Sequence, residues 1–201
     1  MVDLDDPKFQ GETEVLDFDY SKEFKDLYPD AHEELDARLP EPLVDEMNIT
    51  VFVDSDHAHD KITRRSITGI IIFVGRTPVF YSSKRQGSIE TSTYGAEFCA
   101  MKTCVEELIS LRYMLRCLGV SVEHASVVCG DNLGVIQNIS IKDSLLKKKH
   151  VAISYHKSRE SIAAGIVHPV KTKGTNNFAD VLTKAQTHKD FCTLIGGIMW
   201  G

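Results

Sequence analysis

The sequence lacks the features that mark membrane, secreted and disulfide-linked proteins. No apolar run approaches the roughly 18–20 residues that a membrane helix needs. The first residues, Met1–Asp6, have neither the basic region nor the apolar region of a secretory signal. Only five cysteines occur in 201 residues and no two are spaced C-x-x-C, which favours small buried thiols over disulfides or a zinc knuckle. We therefore expect a soluble chain in a reducing compartment.

The sequence also lacks the motifs of common cofactor sites. It has no Walker loop, no Gly-rich dinucleotide fingerprint and no H-E-x-x-H zinc motif. Asp54-x-Asp56 would open an EF-hand, but His59 stands where that loop needs Gly and Arg65 where it needs Glu. His57 and His59 have no third zinc ligand at suitable spacing. A single D-x-D also occurs in sugar-nucleotide transferases and discriminates poorly. No small-molecule cofactor is expected.

Charge is distributed unevenly along the chain. The net charge of −6 argues, at face value, against a nucleic-acid partner. However, residues 1–50 hold 16 acidic and 4 basic side chains, a net of −12, whereas residues 51–201 hold 13 acidic and 19 basic ones, a net of +6. Residues 1–47, with four prolines and little periodicity, are predicted to be an acidic connector or tether. Residues 48–201 are predicted to be the folded domain.

Hydrophobic patterning in the second part predicts alternating strands and helices. Strands are predicted at 49–53, 69–74, 79–83, 125–129 and 166–170, and helices at 93–117, 133–138, 144–164 and from 177 onward. Ser92 or Thr93 can cap the first of these helices. The first three strands read as an antiparallel meander. The whole order predicts an α/β fold, with a mixed five-stranded sheet flanked by helices.

Acidic residues stand where these predicted elements begin or end. Asp54 and Asp56 follow the first strand, Asp131 follows the fourth, Glu97 lies early in the long helix, and Asp180 lies in the last one. Each one alone is more often a turn, cap or dipole partner. Ligands gather beyond the strand ends of open α/β sheets, and carboxylates that meet there repel one another unless a cation joins them. Together they suggest hard-oxygen ligands for divalent cations.

Several segments occur in the order of one known family. They are Val53–Ala58, Thr63–Gly69, Tyr81–Gln86, Glu90–Phe98, Asp131-Asn132, Lys149-His150, Tyr155-His156, Arg159-Glu160 and Phe178–Lys184. As an ordered set they resemble the ribonuclease H domain at the C-terminus of copia-type LTR-retrotransposon Pol polyproteins. The resemblance covers residues 49–190, and residues 28–42 look like the connector leading out of that family's reverse transcriptase. The polymerase, integrase and protease regions are missing.

The resemblance implies a ribonuclease H-like fold and a metal-dependent endonuclease. Such an enzyme hydrolyses the RNA strand of RNA–DNA hybrids during retrotransposon reverse transcription. The family's catalytic, metal-ligating acids carry over to Asp54, Glu97, Asp131 and Asp180, which would hold two Mg²⁺ or Mn²⁺ ions. Two ions about 3.5–4 Å apart can activate a water and stabilise the leaving oxygen. Asp56 is expected to support these ligands from beside the ions.

Basic residues near the predicted site are candidates for binding substrate phosphates. They are Lys84, Arg85, Lys147, Lys148, Lys149 and His150; for any single lysine a solvated surface is the competing interpretation. Asn132 is a candidate for contact with a ribose 2′-OH, or for the cap of the next helix. The implied partners are an RNA–DNA hybrid and the parent polyprotein's reverse transcriptase, with no membrane. The implied location is the cytoplasm, in virus-like particles by resemblance, or the nucleus.

The sequence departs from the family pattern at two places. His59 stands where the family has a small residue, and Gly130 is inserted between Cys129 and Asp131, where the family reads C-D-N. This insertion would either form a bulge that preserves the site or swing Asp131 away from the metals. We expect activity to survive. The alternative function is an inactive or domesticated remnant that binds nucleic acid or a protein, which Gly130 and the missing polymerase favour.

Overall fold

The centre of the molecule is a mixed five-stranded sheet. The computed structural model of the protein describes residues 24–144, 146 and 149–200. The strands are β1 (Ile49–Asp56), β2 (Ile67–Val74), β3 (Thr77–Arg85), β4 (Ser126–Gly130) and β5 (Val167–Lys171). They lie in the order β3-β2-β1-β4-β5. β1, β2 and β3 pair antiparallel, and β1–β4 and β4–β5 pair parallel. The predicted sheet, with its three antiparallel strands, is confirmed.

Helical elements cover both faces of this sheet. The described residues form the helices α1 (Thr93–Cys117), α2 (Leu133–Ser140), α3 (Ala152–Ala163) and α4 (His188–Trp200), and 3₁₀ turns at Lys149–Val151, Gly174–Asn176 and Phe178–Leu182. Side chains of β1 alternate between two cores, as period-two geometry requires. Val51 and Val53 meet α1, α2 and α3, while Phe52 packs with the Phe178–Leu182 turn and α4. Among the described residues, no helix is both long and apolar enough to cross a bilayer.

Local chemistry fixes the ends of α1, which supplies one candidate acid. The Ser92 side chain accepts a hydrogen bond from the Gly95 N–H at 3.2 Å, which satisfies one of the free amides at the helix start. At the other end Gly119 has φ +76°, a left-handed conformation that favours glycine and stops the helix. The predicted cap at Ser92 is confirmed.

Two predicted helices begin later in the structure than in the sequence interpretation. The helix predicted at 144–164 is replaced by a 3₁₀ turn and then α3, because side chains of α3 bind the preceding backbone: Arg159 donates to the Lys142 carbonyl at 2.7 Å, and the Tyr155 hydroxyl to the Ser144 carbonyl at 2.7 Å. The helix predicted from 177 is likewise a 3₁₀ turn, and α4 follows separately. Asp180 therefore lies in a short turn.

The described part of the acidic segment packs on the domain. Phe24 is fully buried in the core, and the guanidinium of Arg159 lies 4.5 Å from its ring centroid. Farther along, the Leu43 N–H donates to the Gly119 carbonyl at 2.7 Å. Residues 24–47 thus cover the helical layer. The division of the chain at 47/48 stays a prediction.

All five cysteines are unpaired. Cys104 and Cys129 are buried, as the composition predicts for small apolar thiols. Cys117 and Cys192 are exposed, so the prediction of burial was wrong for those two.

Candidate active site

Three carboxylates converge at one edge of the sheet. Asp54 lies near the end of β1, Asp131 follows β4, and Glu97 lies in the second turn of α1. One oxygen from each lies within 4.8 Å of the others, and within the described residues this is the only such cluster of three or more His, Cys, Asp or Glu. β1 and β4 are parallel neighbours, so their carboxyl ends deliver Asp54 and Asp131 side by side, where ligands of α/β sheets collect.

Asp180 lies outside this cluster of three and approaches it from the opposite face of the sheet. The ammonium of Lys184 lies 3.1 Å from Asp180 Oδ2 and 3.6 Å from Asp54 Oδ2, so one cation bridges two of the acids. Asp180 Oδ1 is buried and, among the described residues, has no hydrogen-bond partner. A buried carboxylate oxygen without a partner is costly, and it is suited to a cation ligand.

Asn177 anchors the turn that carries Asp180. Its amide Nδ2 donates to the Val53 carbonyl of β1 at 3.0 Å, and its Oδ1 accepts from the Ala179 N–H at 3.2 Å. Asn177 is fully buried, and these two hydrogen bonds satisfy both of its side-chain polar atoms, as a buried amide requires. This one side chain therefore ties the Asp180 turn to the strand that bears Asp54.

The acids perturb one another electrostatically. Burial, and then the charges of Asp54 and Asp131, raise the pKa of Glu97 to about 8. Burial and the Asp54 charge raise the pKa of Asp180 to about 6, and the same two causes raise the pKa of Asp131. Burial alone would lower the pKa of Lys184, but the charges of Asp54 and Asp180 raise it overall. The site therefore holds more negative charge than its own lysine balances.

Gly69 makes room for this arrangement. It pairs with Asp54 across β1 and β2, and a Cβ built on it would lie 2.7 Å from Thr183 Cγ2 and 2.8 Å from the Ala179 carbonyl oxygen. Thr183 in turn donates its hydroxyl to Asp54 Oδ2. A side chain at position 69 would therefore push on the backbone of the turn that holds Asp180.

The inserted Gly130 leaves Asp131 in the site. Gly130 continues β4 in register, opposite Val53 of β1 and Lys171 of β5, and its Cβ position faces the helical core near Ile136. Neither pairing of β4 contains a register shift. The bulge is therefore absent, and Asp131 joins the cluster instead of swinging away.

Asn132 and Asp56 are occupied by local contacts. The Asn132 side chain accepts from the Val135 N–H at 3.2 Å and caps α2, which is the capping interpretation of this residue. Asp56 Oδ2 lies 2.6 Å from His59 Nδ1, and Asp56 is outside the cluster of three. His59, the departure from the family pattern, is thus a partner for Asp56.

Two of the basic residues predicted to bind phosphate, Lys84 and Arg85, lie at the same end of the sheet as Asp56. Asp56 pairs with Ile67, and Ile67 with Arg85, so Arg85 stands two strands, about 10 Å, from β1. Arg85 Nη1 lies 3.0 Å from Asp60 Oδ2, and Lys84 Nζ lies 3.9 Å from a carboxylate oxygen of Glu107. Both remain largely exposed.

The 3₁₀ turn at Lys149–Val151 carries two of the other basic candidates. Lys149 and His150 are exposed, and His150 Nε2 lies 3.4 Å from Glu90 Oε2. Lys147 and Lys148 lie outside the described residues.

The chain is similar to known proteins both in sequence and in structure. No family model matches the chain. In sequence, the chain is 28% identical over 138 residues to a retrovirus-related Pol polyprotein from transposon RE2 of Arabidopsis thaliana, and 29% identical over 142 residues to one from transposon TNT 1-94 of Nicotiana tabacum. These matches cover 69% and 70% of this chain and 10% of each relative. The chain thus spans about a tenth of the length of those polyproteins.

Solved structures decide the fold. The N-terminal RNase H domain of a Mycobacterium tuberculosis protein, solved as a fusion with maltose-binding protein, has a TM-score of 0.53 at 12% identity and covers 75% of this chain and 97% of that one. LC11-RNase H1 in complex with RNA/DNA hybrid has a TM-score of 0.54 at 16% identity, covering 68% and 94%. The chain has the ribonuclease H fold, and its sequence is similar to retrovirus-related Pol polyproteins of transposons.

Sequence reasoning missed several residues that support the acids of this ribonuclease H-fold domain. Lys184, Thr183 and Asn177 hold the Asp180 turn against β1. The i, i+4 spacing of Asp180 and Lys184 was a signal for an ion pair. The hydrogen bond from Thr183 to Asp54 joins residues 129 positions apart, so no local sequence pattern predicts it.

Proposed function

We propose that this chain is a divalent-metal-dependent ribonuclease that hydrolyses the RNA strand of an RNA–DNA hybrid. The observation that carries the proposal is the convergence of Asp54, Glu97 and Asp131 within 4.8 Å on a ribonuclease H fold. The hybrid bound to a structural neighbour and the kinship with Pol polyproteins support the substrate class and the retrotransposon context.

The residues present fit divalent cations. The donors are carboxylate oxygens, which Mg²⁺ and Mn²⁺ prefer. Burial and then their mutual repulsion raise the pKa of Glu97 and of Asp180, and Asp180 Oδ1 is buried without a hydrogen-bond partner among the described residues. Asp54, Glu97, Asp131 and Asp180 would hold the ions. When bound, the ions would supply water activation and stabilisation of the charge that develops on the phosphate.

The chain's own groups prepare the site for that chemistry. The Thr183 hydroxyl fixes one oxygen of Asp54, and Asn177 fixes the turn of Asp180. These contacts hold the acids in place before a substrate arrives, which lowers the reorganisation needed for reaction. Lys184 lies between Asp54 and Asp180, where its charge offsets part of their repulsion.

The basic residues at the same edge are suited to the hybrid's backbone. Lys84, Arg85, Lys149 and His150 are exposed, and contacts to phosphates would position the duplex without reading its sequence. Because residues 51–201 carry a net charge of only +6, hybrid binding by the chain alone should be weak and sensitive to salt.

The decisive experiment is cleavage of a labelled RNA–DNA hybrid by purified protein with Mg²⁺ or Mn²⁺. We expect cleavage of the RNA strand, its loss on chelation, and no cleavage of a DNA duplex of the same sequence. Asp54→Asn should abolish cleavage while leaving hybrid binding in place. If wild type binds hybrid but never cleaves at any metal concentration, the domesticated-remnant alternative replaces the enzyme.

A further inference from the structure

Glu90 is a buried carboxylate to which the proposed reaction gives no role. It lies in the loop between β3 and α1, seven positions before Glu97, and its residue is 8% exposed. Ser88 Oγ donates to Glu90 Oε1 at 2.9 Å, and Cys99 Sγ lies 3.3 Å from the same oxygen. A carboxylate this deeply buried is costly unless its charge is compensated.

The second oxygen of Glu90 faces the basic turn. Glu90 Oε2 is buried and has no hydrogen-bond partner among the described residues, and the imidazole Nε2 of His150 lies 3.4 Å from it. The imidazole of His150 therefore lies within ion-pair distance of the Glu90 carboxylate. His150 belongs to the 3₁₀ turn at Lys149–Val151, next to the lysine run that is a candidate for phosphate binding.

Two further contacts place Glu90 at the meeting point of four chain segments. His57, which follows the β1 strand that carries Asp54, lies with its Nε2 3.0 Å from the Glu90 carbonyl oxygen. On α1, a Cβ built on Gly95 would lie 2.6 Å from Glu90 Oε2. A glycine in the first turn of a helix is not favoured by helix propensity, and here its missing side chain makes the space that the carboxylate occupies.

We propose that Glu90 is a positioning residue, which ties the basic turn at Lys149–Val151 to the loops beside Asp54 and Glu97 through its contact with His150. This tether holds the basic turn at the edge of the site, where it meets the hybrid backbone. Its effect on hybrid binding rests on the proposed function, whereas the tether itself does not.

Limited digestion of the metal-free native protein with trypsin tests the tether independently of any activity. Trypsin cleaves after lysine, so the run at Lys147–Lys149 reports how firmly the turn is held. Glu90→Gln keeps the size and the Ser88 contact but removes the charge, and we expect nicking at the run to become about threefold faster. Glu106→Gln, which alters an exposed carboxylate paired with Lys102 on α1, is the matched control and should leave the rate unchanged.

Gly95→Ala is a second test variant, and in this one the helix itself should become more stable. Alanine favours the helix, yet its Cβ displaces the Glu90 carboxylate. We expect faster nicking at the lysine run without loss of the thermal transition. If nicking in both Glu90→Gln and Gly95→Ala stays at the wild-type rate, the tether does not exist.

Hybrid binding then tests the consequence of the tether. At low salt and without cleavage-supporting metal, Glu90→Gln should weaken hybrid affinity about threefold. His150→Gln should do the same, and the double variant should be no weaker than either single one, because one contact has been removed twice. In cleavage, KM should rise while kcat stays within about twofold.

The outcomes separate the two proposals. Losses in affinity that multiply in the double variant, or a fall in kcat with KM unchanged, would overturn the positioning role. If the wild type neither binds nor cleaves hybrid but Glu90→Gln is nicked faster, the tether stands and the proposed function fails.

Discussion

Helix α1 has a cluster of charged side chains at each end, and the two clusters are built in opposite ways. At its C-terminal end, Glu33 of the acidic segment accepts hydrogen bonds from both Arg112 and Arg116, at 2.7–2.8 Å. At its N-terminal end, Glu97 meets Asp54 and Asp131. One cluster surrounds a carboxylate with two cations, and the other crowds carboxylates together.

The electrostatic consequences are opposite as well. Burial alone would raise the pKa of Glu33, but the hydrogen bonds from Arg112 and Arg116 lower it to about 2. The pKa of Glu97 is raised to about 8 by burial and by its acidic neighbours. A cluster that satisfies its own charges stabilises a fold, whereas one that leaves them unsatisfied awaits a ligand. The comparison therefore separates a structural ion-pair centre from a candidate active site.

The same Glu→Gln change should have its largest effect at the site end, on activity. Glu97→Gln should lower hybrid cleavage roughly a thousandfold, because under the proposed function it removes a carboxylate that would bind the metal. At pH 7 the metal-free stability should stay within about 1 kcal/mol, since Glu97 is already protonated there and glutamine has the same shape. Cleavage rate and urea denaturation measure the two effects, and a large loss of stability would mean that Glu97 is structural.

At the other end the pattern should reverse. Glu33→Gln should destabilise the fold by about 3 kcal/mol, because buried Arg112 loses its counter-charge. Arg112 is 0% exposed and also donates to the His124 carbonyl and Ser126, so it cannot turn out to solvent. Cleavage per folded molecule should match the wild type. A reduced rate with an unchanged unfolding transition would contradict this division of roles.

The pH dependence of the metal-free protein should show both clusters. Glu33 has a folded-state pKa below its ordinary value, so its contribution is lost as pH falls from about 4.5 to about 2. Glu97 has a folded-state pKa above its ordinary value, so stability falls as pH rises from about 4.5 to about 8. Asp180 adds a further loss of stability as pH rises from about 3.8 to about 6.

Denaturation in chelator across pH 2–9 measures these slopes. Glu97→Gln should reduce only the loss of stability as pH rises from about 4.5 to about 8, and Glu33→Gln only the loss as pH falls from about 4.5 to about 2. In samples without chelator, saturating Mg²⁺ should also reduce the loss at rising pH, because metal binds the deprotonated acids. If neither Mg²⁺ nor Glu97→Gln changes the loss at rising pH, other groups cause it.

Lys184→Met should have a smaller effect, about 1 kcal/mol or less on metal-free stability, because the side chain is 41% exposed. Removing its charge should also increase the affinity for Mg²⁺ several-fold, since the carboxylates no longer share a cation. Metal titrations followed by thermal unfolding measure both quantities. Lys189→Met, at an exposed position on α4, is the control. Weaker Mg²⁺ binding by Lys184→Met would refute competition between lysine and metal.

The smallest effect is expected at the inserted glycine. A Cβ at Gly130 would make ordinary contacts, the shortest at 3.5 Å to Ile136 Cδ1. Gly130→Ala should therefore change stability by no more than about 1 kcal/mol, in the favourable direction, and leave cleavage within twofold of wild type. A strong loss of cleavage would mean that position 130 needs glycine to place Asp131.

The sequence allowed prediction of the sheet, because strand periodicity is a short-range signal. The predicted strands carry Asp54 near the end of β1 and Asp131 directly after β4, and these two acids meet Glu97. The two charge clusters differ here. The site acids lie in motifs, whereas Glu33 and Arg112 are 79 positions apart and neither belongs to a pattern.

The helix predicted from residue 177 was wrong, because tertiary contacts hold that part of the backbone in another conformation. Phe24, in the segment predicted to be a connector, is a core residue, and the scattered apolar residues of that segment did not predict its burial. The turn of Asp180 read as helix because its local sequence allows one. Asn177 and Thr183 bind β1 instead, and such long-range partners override local propensity.

Gly69 shows how far the site extends beyond its chemistry. Gly69 carries no side chain and lies 15 positions after Asp54. A Cβ built on it would nevertheless lie only 2.8 Å from the Ala179 carbonyl oxygen, in the backbone of the Asp180 turn. In a saturation screen that scores hybrid cleavage, position 69 should therefore tolerate substitution as poorly as the acids do. Loss-of-function substitutions would therefore include those at Gly69, a position that the catalytic groups alone do not identify.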